Sequence, residues 1–314
     1  MVKFLAQRLL LVIPTLLGVA VIVFVIIRLI PGDPIASLVG PNSTAEARDE
    51  LRERLGLNES IPVQFGIWLW NLVQGDAGNS IARQEPAFDL VLRAFSQTAV
   101  LSGAAAIIAL VGGLTLASMR VLSNNVFLQR ASSFVSTFAM SAPQYSVALI
   151  FIVLFSVGLG WFPSGGTGSA MGGGFGTTLY YLVLPATAAA LVPLGIIARM
   201  ASSALRDVVT AGWVEQLHAR GIPNWKVRLH ILHNTVPSVL AISGLQVGYL
   251  LGGVVFIEII FSWPGLGQAV YQAITQRDLP VIQAGILVAA LAFVLVNLVV
   301  DVLQGLVDPR LRRA

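Results

Sequence analysis

Six stretches of this chain, 9–30, 96–119, 131–157, 178–198, 236–261 and 281–307, are apolar for longer than a water-soluble fold can bury. A helix needs roughly 20 apolar residues, at about 1.5 Å rise each, to cross the hydrocarbon layer of a membrane, and every stretch reaches that length. Composition agrees. Hydrophobic residues make up 56% of the chain and charged ones only 11%, against about 25% charged in an ordinary soluble domain. Lipid offers no partner to a bare backbone amide, so the spans have to be helical. The expected fold class is an all-α membrane protein with six transmembrane helices, built as one domain over residues 1–314. The first stretch is too long and too apolar for a cleaved signal, and no small-residue cleavage site follows it, so it is expected to remain as a helix.

Orientation follows from arginine and lysine, which collect on the cytoplasmic side. With the N-terminus inside, Lys3, Arg8, Arg120, Arg130, Arg199, Arg206, Arg220, Lys226, Arg228, Arg310, Arg312 and Arg313 all fall in cytoplasmic segments, twelve of the 19 basic residues. The longer outside segments hold the other seven and most of the acids. Both termini are therefore expected in the cytoplasm, with the protein multi-pass in the cytoplasmic membrane. The net charge of +4 sits in segments that flank the membrane and so points to lipid rather than to nucleic acid.

Two outside segments and one inside segment stand out. Residues 31–95 form a long extracytoplasmic loop. Ser43 and Glu46 in it read as a capping box opening a short charged helix to about Leu55, ended by Gly56. Trp68 and Trp70 mark an aromatic stretch for the membrane interface. Residues 158–176 are glycine-rich, without the Lys-Ser/Thr of a phosphate-cradling loop, and read as a flexible connector. The inside segment, 199–235, is a polar, basic island between two apolar spans. Within 207–223 the spacing predicts a short amphipathic helix, with Val214 and Leu217 on one face and Gln216 and Arg220 on another. Glu215 suits the positive N-terminal end of such a helix. Gly221 suits the left-handed position that ends it, and Pro223 blocks continuation. An exposed helix of this kind either lies on lipid headgroups or docks on a soluble partner, and its two breakers and cytoplasmic side favour docking.

Glu215, followed six residues later by Gly221 and then by Asn234 and Pro237, resembles the EAA loop of ABC importer permeases, with Gln216 and Leu217 where that family has two alanines. Further motifs are similar to the dipeptide, oligopeptide and nickel branch of the family, of the dipeptide permease B type. They are Arg28-Leu-Ile-Pro-Gly-Asp33-Pro34, Leu55-Gly-Leu57, the run Gln74 to Ser80, and Gly160-Trp-Phe-Pro163. Towards the C-terminus come Glu258, Phe261, Pro264-Gly-Leu-Gly267, Arg277-Asp278-Leu-Pro280, Asn297, Asp301 and Asp308-Pro-Arg310. The likeness covers essentially the whole chain. It implies the type I importer permease fold and a cytoplasmic coupling loop, 199–235, seated on an ATPase through Trp213, Val214, Glu215, Leu217, Arg220 and Gly221. It also implies a second homologous permease subunit, two ATPase domains that bind ATP and Mg, and an extracytoplasmic solute-binding protein. No cofactor is expected in this chain itself. The implied cargo is di- or oligopeptide, with nickel chelates, glutathione and haem as alternatives. The loops 31–95 and 262–280 are the expected contacts of the binding protein.

Ionisable groups inside spans are costly and mark candidate functional positions. Glu258 lies near the outer end of the fifth span. Asp301 lies in the sixth, one turn after Asn297 on the same face. Each reads either as a contact for cargo or a proton, or as an interhelical hydrogen bond or cap. Arg28, near a span end, is expected to snorkel to the interface. Pro14, Pro143, Pro185 and Pro193 are placed to kink spans. Gly112, Gly113, Gly248, Gly252 and Gly253 allow close helix approach, with Gly248 and Gly252 spaced as a packing pair.

The chain has no P-loop, so it does not hold ATP by that device. It has no cysteine, no zincin motif and no nucleophile elbow, which disfavours an intramembrane enzyme. His230 and His233 are three apart without an evident third ligand, and read as ordinary loop residues. A stand-alone secondary transporter would need intramembrane charge pairs or an inverted repeat, and neither is evident.

Overall fold

The computed structural model describes residues 2–29, 59–168 and 172–307. The capping box at Ser43, its helix to Leu55 and Gly56, the segment around Asp33, and Asp308 to Arg313 lie outside the described residues. Among the described residues the chain is helical, with no strand beyond one isolated bridge between Asn79 and Pro86. In chain order the helices are α1 (Val2–Leu29), α2 (Ile61–Val73), α3 (Ala87–Leu122), α4 (Val126–Ser141), α5 (Gln144–Phe151, continuing as π-helix Ile152–Gly158), α6 (Phe175–Val209), α7 (Gly212–Ala219), α8 (Asn224–Gly253), α9 (Val255–Ile260), α10 (Leu266–Gln276) and α11 (Leu279–Val307).

Four of these, α3, α6, α8 and α11, are long and apolar enough to cross a membrane, and α4 with α5 makes a fifth candidate if the bent pair is one span. The third apolar stretch is therefore not a straight helix. Ala142 and Pro143 leave the helical conformation, and the two halves meet at 105°. Pro143 supplies no amide to the preceding turn and forces its neighbour into extended backbone, so the helix has to break there. The fifth stretch also divides. Helix α8 starts at Asn224, twelve residues before the apolar run, and stops at Gly253, so Glu258 belongs to the separate one-and-a-half-turn α9. Much of the expected cytoplasmic loop 199–235 is thus helix, contributed by the end of α6, by α7 and by the first turns of α8. In α1 the apolar section is Leu10–Ile26.

The core forms around α6, which packs against α3, α4, α5 and α8. Its buried face is built from small residues, among them Ala186, Ala188, Ala189, Ala190, Ala198 and Ala201. Between helices in lipid the apolar effect is weak, and close packing of small residues replaces it. The approach is tight enough to require glycine. A Cβ on Gly113 of α3 would stand 2.8 Å from Ile197 Cγ2, and one on Gly195 of α6 would stand 2.7 Å from the carbonyl of Ser136 on α4. The glycines that meet α11 are Gly244, against Val300, and Gly248, against Phe293, whereas a side chain on Gly252 would meet nothing. The packing pair on α8 is therefore one turn earlier than the sequence spacing indicates. On the outer faces large apolar side chains such as Ile13, Ile107, Phe134 and Leu245 are more than half exposed, as lipid-facing helices require.

Pro185 and Pro193 lie inside α6. A helical proline removes the hydrogen bond to the carbonyl four residues back. For Pro193 that carbonyl is Ala189, and the side-chain amide of Gln144, at the start of α5, donates to it at 3.2 Å.

The described start of the connector between α5 and α6, residues 159–168, is packed rather than loose. Gly166 N–H donates to the carbonyl of Phe261 at 2.7 Å, and a Cβ on Gly165 would collide with the same peptide group. Tyr180 O–H donates to the carbonyl of Trp161 at 2.8 Å. Of the two interfacial tryptophans, Trp68 turns inward, 5.5 Å from the Phe24 ring and donating to Gln283 at 3.1 Å, while Trp70 is exposed. Arg28 does not simply reach for water. Its guanidinium lies 3.5 Å from the centre of the Phe24 ring and donates to Gln64.

Candidate functional site: a capped helix at one end of the bundle and a capped turn at the other

At one end, α6, α7 and the start of α8 enclose a small apolar cluster. Leu205, Val214, Val227 and Ile231 are buried in it, and Val121, Val208, Trp213, Leu217 and Ile222 pack around them. Helix α7 is only eight residues long, too short to stand alone in water. Val214 and Leu217 hold it to the bundle, and its ends do the rest. After Arg220, Gly221 takes φ +70°. Gly221 N–H donates to the carbonyl of His218 at 2.9 Å, and Ile222 N–H reaches back to Leu217 at 3.1 Å. This is a Schellman cap, and Ile222 and Leu217 both pack against the buried cluster.

The expected docking residues therefore divide into two groups. Trp213, Val214 and Leu217 face their own chain, and Val214 is only 5% exposed. They hold the helix against the bundle, Val214 buried and Trp213 and Leu217 half-buried. Glu215 and Arg220 are exposed, as are Gln216, His218 and Gly221. His218 was not singled out as a docking residue from the sequence, and Gln216 only as part of the polar face. Their position on the face away from Val214 and Leu217 is the signal that marks them.

At the other end, Glu258 is fully buried. Its Oε1 accepts from Thr98 Oγ1 at 2.6 Å and its Oε2 from Gln268 N–H at 3.0 Å. Thr98 Oγ1 in turn accepts from Leu266 N–H at 2.7 Å. Gln268 and Leu266 lie in the first turn of α10, where backbone amides lack helical partners. Glu258 and Thr98 thus cap α10 from two other helices, with the helix dipole favouring the carboxylate. The turn between α9 and α10 is fixed further by Trp263, which donates from its backbone to the Glu258 carbonyl at 2.8 Å and from its indole to the Gln97 carbonyl at 3.0 Å. Of the two readings that the sequence left open for Glu258, the geometry places it as a cap.

Asp301 on α11 meets Arg8 on α1 at 2.9 Å. The sequence offered no partner for it because Arg8 is nearly the whole chain away and was counted as a flanking charge. Exchanging the two residues, Arg8→Asp with Asp301→Arg, is expected to restore the assembled yield that either single change lowers. Size-exclusion profiles in detergent will show whether it does. Asn297 donates to the Phe293 carbonyl one turn back at 3.0 Å. Glu258, Asn297 and Asp301 form no common site.

The sequence compared with known proteins gives a consistent picture. Residues 109–313 match the model of the binding-protein-dependent transport system inner membrane component, and residues 1–102 match that of the N-terminal part of such membrane components. The chain is 36% identical to the dipeptide transport system permease protein of Alkalihalophilus pseudofirmus, over 99% of this chain and 100% of that protein. It is 39% identical to the di/tripeptide transport system permease protein of Pseudomonas aeruginosa, over 99% of both. It is also 33% identical to the glutathione transport system permease protein of Salmonella choleraesuis, again over 99% of both.

Proposed function

Because this chain belongs to the family of binding-protein-dependent transport system inner membrane components, we propose that it is the translocating subunit of an ABC importer that brings di- and oligopeptides across the cytoplasmic membrane. The observation that carries the cargo class is the end-to-end match to two peptide permeases at 36% and 39% identity. Glutathione, itself a small peptide, is the second reading, on the 33% match to its permease.

The proposed assembly contains a second homologous permease subunit, two ATPase domains that bind ATP and Mg, and an extracytoplasmic solute-binding protein. The chain is not itself the ATPase in this scheme. Six spans are proposed, with α1 as the first, the bent pair α4 and α5 as the third and both termini in the cytoplasm. The asymmetry of basic residues supports that orientation. The proposed coupling element is α7, which presents Glu215, Gln216, His218 and Arg220 to the ATPase, while Val214 and Leu217 carry its displacement into α6 and α8. Closure of the ATPases on ATP would then rock the helices between inward-open and outward-open states.

The test is ATP hydrolysis by the reconstituted complex, with this chain, its sister permease and the ATPases in lipid, on adding binding protein loaded with dipeptide, with glutathione or with nothing. Stimulation by the dipeptide-loaded protein is expected. Stimulation by the glutathione-loaded form alone would move the cargo to the second reading. Hydrolysis indifferent to binding protein would sink the importer assignment.

A further inference from the structure

We propose that a cleft between the start of α3 and the helix α10 receives acidic side chains of the extracytoplasmic binding protein, through Arg83 and Arg93. The inference rests on the importer reading above and deepens it by naming a docking site and the chemistry of its ligand.

The cleft has a volume of about 300 Å³ and is lined by Arg83, Arg93, Gln97, Gln268 and Gln272 over a floor that includes Leu90 and Ala269. None of its lining side chains is acidic. Asp278 is 2% exposed, and its Oδ2 accepts from Ser80 Oγ and from Ala82 N–H, which holds the 78–86 turn against the start of α11. Glu85 pairs with Arg93 and lies 4.0 Å from Arg83. One carboxylate shared by two guanidinium groups leaves most of their donors unspent, since each presents five N–H bonds. Planar guanidinium groups of this kind bind carboxylates in a two-pronged fashion.

Place and shape select the occupant. Leu90, in the cleft floor, and Val121, packed in the cluster that holds α7, both lie on α3, about 46 Å apart along the helix axis at 1.5 Å per residue. The cleft is therefore at the end of the bundle opposite to α7, and it faces the outside if α7 faces the ATPase. Sites for small molecules are enclosed and mostly apolar. Here the lining mixes polar side chains with Leu90, Ala94, Pro264 and Ala269, and the charged rim stays open to solvent, with the side chains of Arg83 and Arg93 56% and 63% exposed. Such a rim suits side chains projecting from a protein surface more than an engulfed peptide, and it steers an acidic partner as it approaches.

Two variants test the site in the full complex held in lipid nanodiscs, with binding-protein affinity read on a biosensor at low and raised salt. Arg83→Glu with Arg93→Glu is expected to weaken binding by about tenfold or more and to flatten its dependence on salt. Glu85→Gln, which removes the competing carboxylate, is expected to tighten binding a few-fold, a gain that misfolding cannot produce. Affinities within twofold of wild type in both variants would overturn the proposal. So would saturable binding of free dipeptide without binding protein that the double variant abolishes, because the cleft would then belong to cargo. Stimulation of wild-type ATP hydrolysis by the binding protein is measured alongside. Its absence sinks the importer reading, whereas its presence with indifferent arginine variants sinks only the cleft.

Discussion

Gly221→Val is expected to lower ATP-driven uptake by about tenfold or more while the chain still assembles with its partners. The argument is conformational. Gly221 sits at φ +70° with open space around it, so the new side chain meets no obstacle. The cost is holding a β-branched residue in the left-handed region, about 1–3 kcal/mol. Relieving it unwinds the Schellman cap, withdraws Ile222 from Leu217, and releases the C-terminal end of an eight-residue helix that a small cluster holds in place. A strain of that size reduces the population of the ordered turn by about a factor of ten, at 1.4 kcal/mol per decade. Gly221→Asn, which tolerates the same conformation, is expected to retain most of the uptake. Peptide uptake in membrane vesicles, with co-purification of the ATPase as the assembly control, measures both. Uptake by the valine variant within twofold of wild type would remove α7 from the coupling path.

Glu258→Ala is expected to be the more damaging change to the fold. It empties a fully buried site, and it leaves the Thr98 hydroxyl and the Gln268 amide without their acceptor. Each such donor left unpaired costs about 1–3 kcal/mol, so the two together cost about 2–6 kcal/mol before the emptied volume is counted, a large share of a typical domain's stability of about 5–15 kcal/mol. The measurable outcome is loss of folded yield and a large fall in the unfolding midpoint in detergent. Glu258→Gln keeps one acceptor but turns an amide N–H towards one of the two donors, and it should fall between. The discriminating result is a well-folded alanine variant that no longer transports. That outcome would return Glu258 to the translocation pathway and remove it from the cap of α10.

The capping chemistry was legible in part. At α7 every signal was local: Gly221, Pro223 and the spacing of Val214 and Leu217 lie within ten residues, and together they mark both the helix and its end. The same spacing set Val214 and Leu217 on a different face from Gln216 and Arg220, and the packing of α7 against α6 and α8 shows that it is the Val214 face that turns inward. Glu258 shows the opposite case. Its partners are Thr98 and Gln268, and no local pattern connects α3 to α10, so the residue read as an isolated intramembrane acid. Asp301 and Arg8 were missed as a pair for the same reason. Apolar length located the four long helices and the bent pair but not their breaks. Pro143 marked the bend between α4 and α5, whereas the stop of α8 at Gly253 falls inside an unbroken apolar run. There the break is set by the demand of the α9 turn to bury Trp263 and Phe261, which are 0% and 1% exposed.

The contact between Gln144 and the Ala189 carbonyl couples two weaknesses that would otherwise act separately. Helix α6 lacks a rung at Pro193, and the chain turns a sharp corner at Pro143. Each is a natural joint, free to flex if left alone. The amide of Gln144 fills the missing rung from the far side of the corner, so that bending α6 there drags the corner with it. The two joints share one pin, and the bent pair α4 and α5 is tied to the central helix at the point where each would otherwise bend alone.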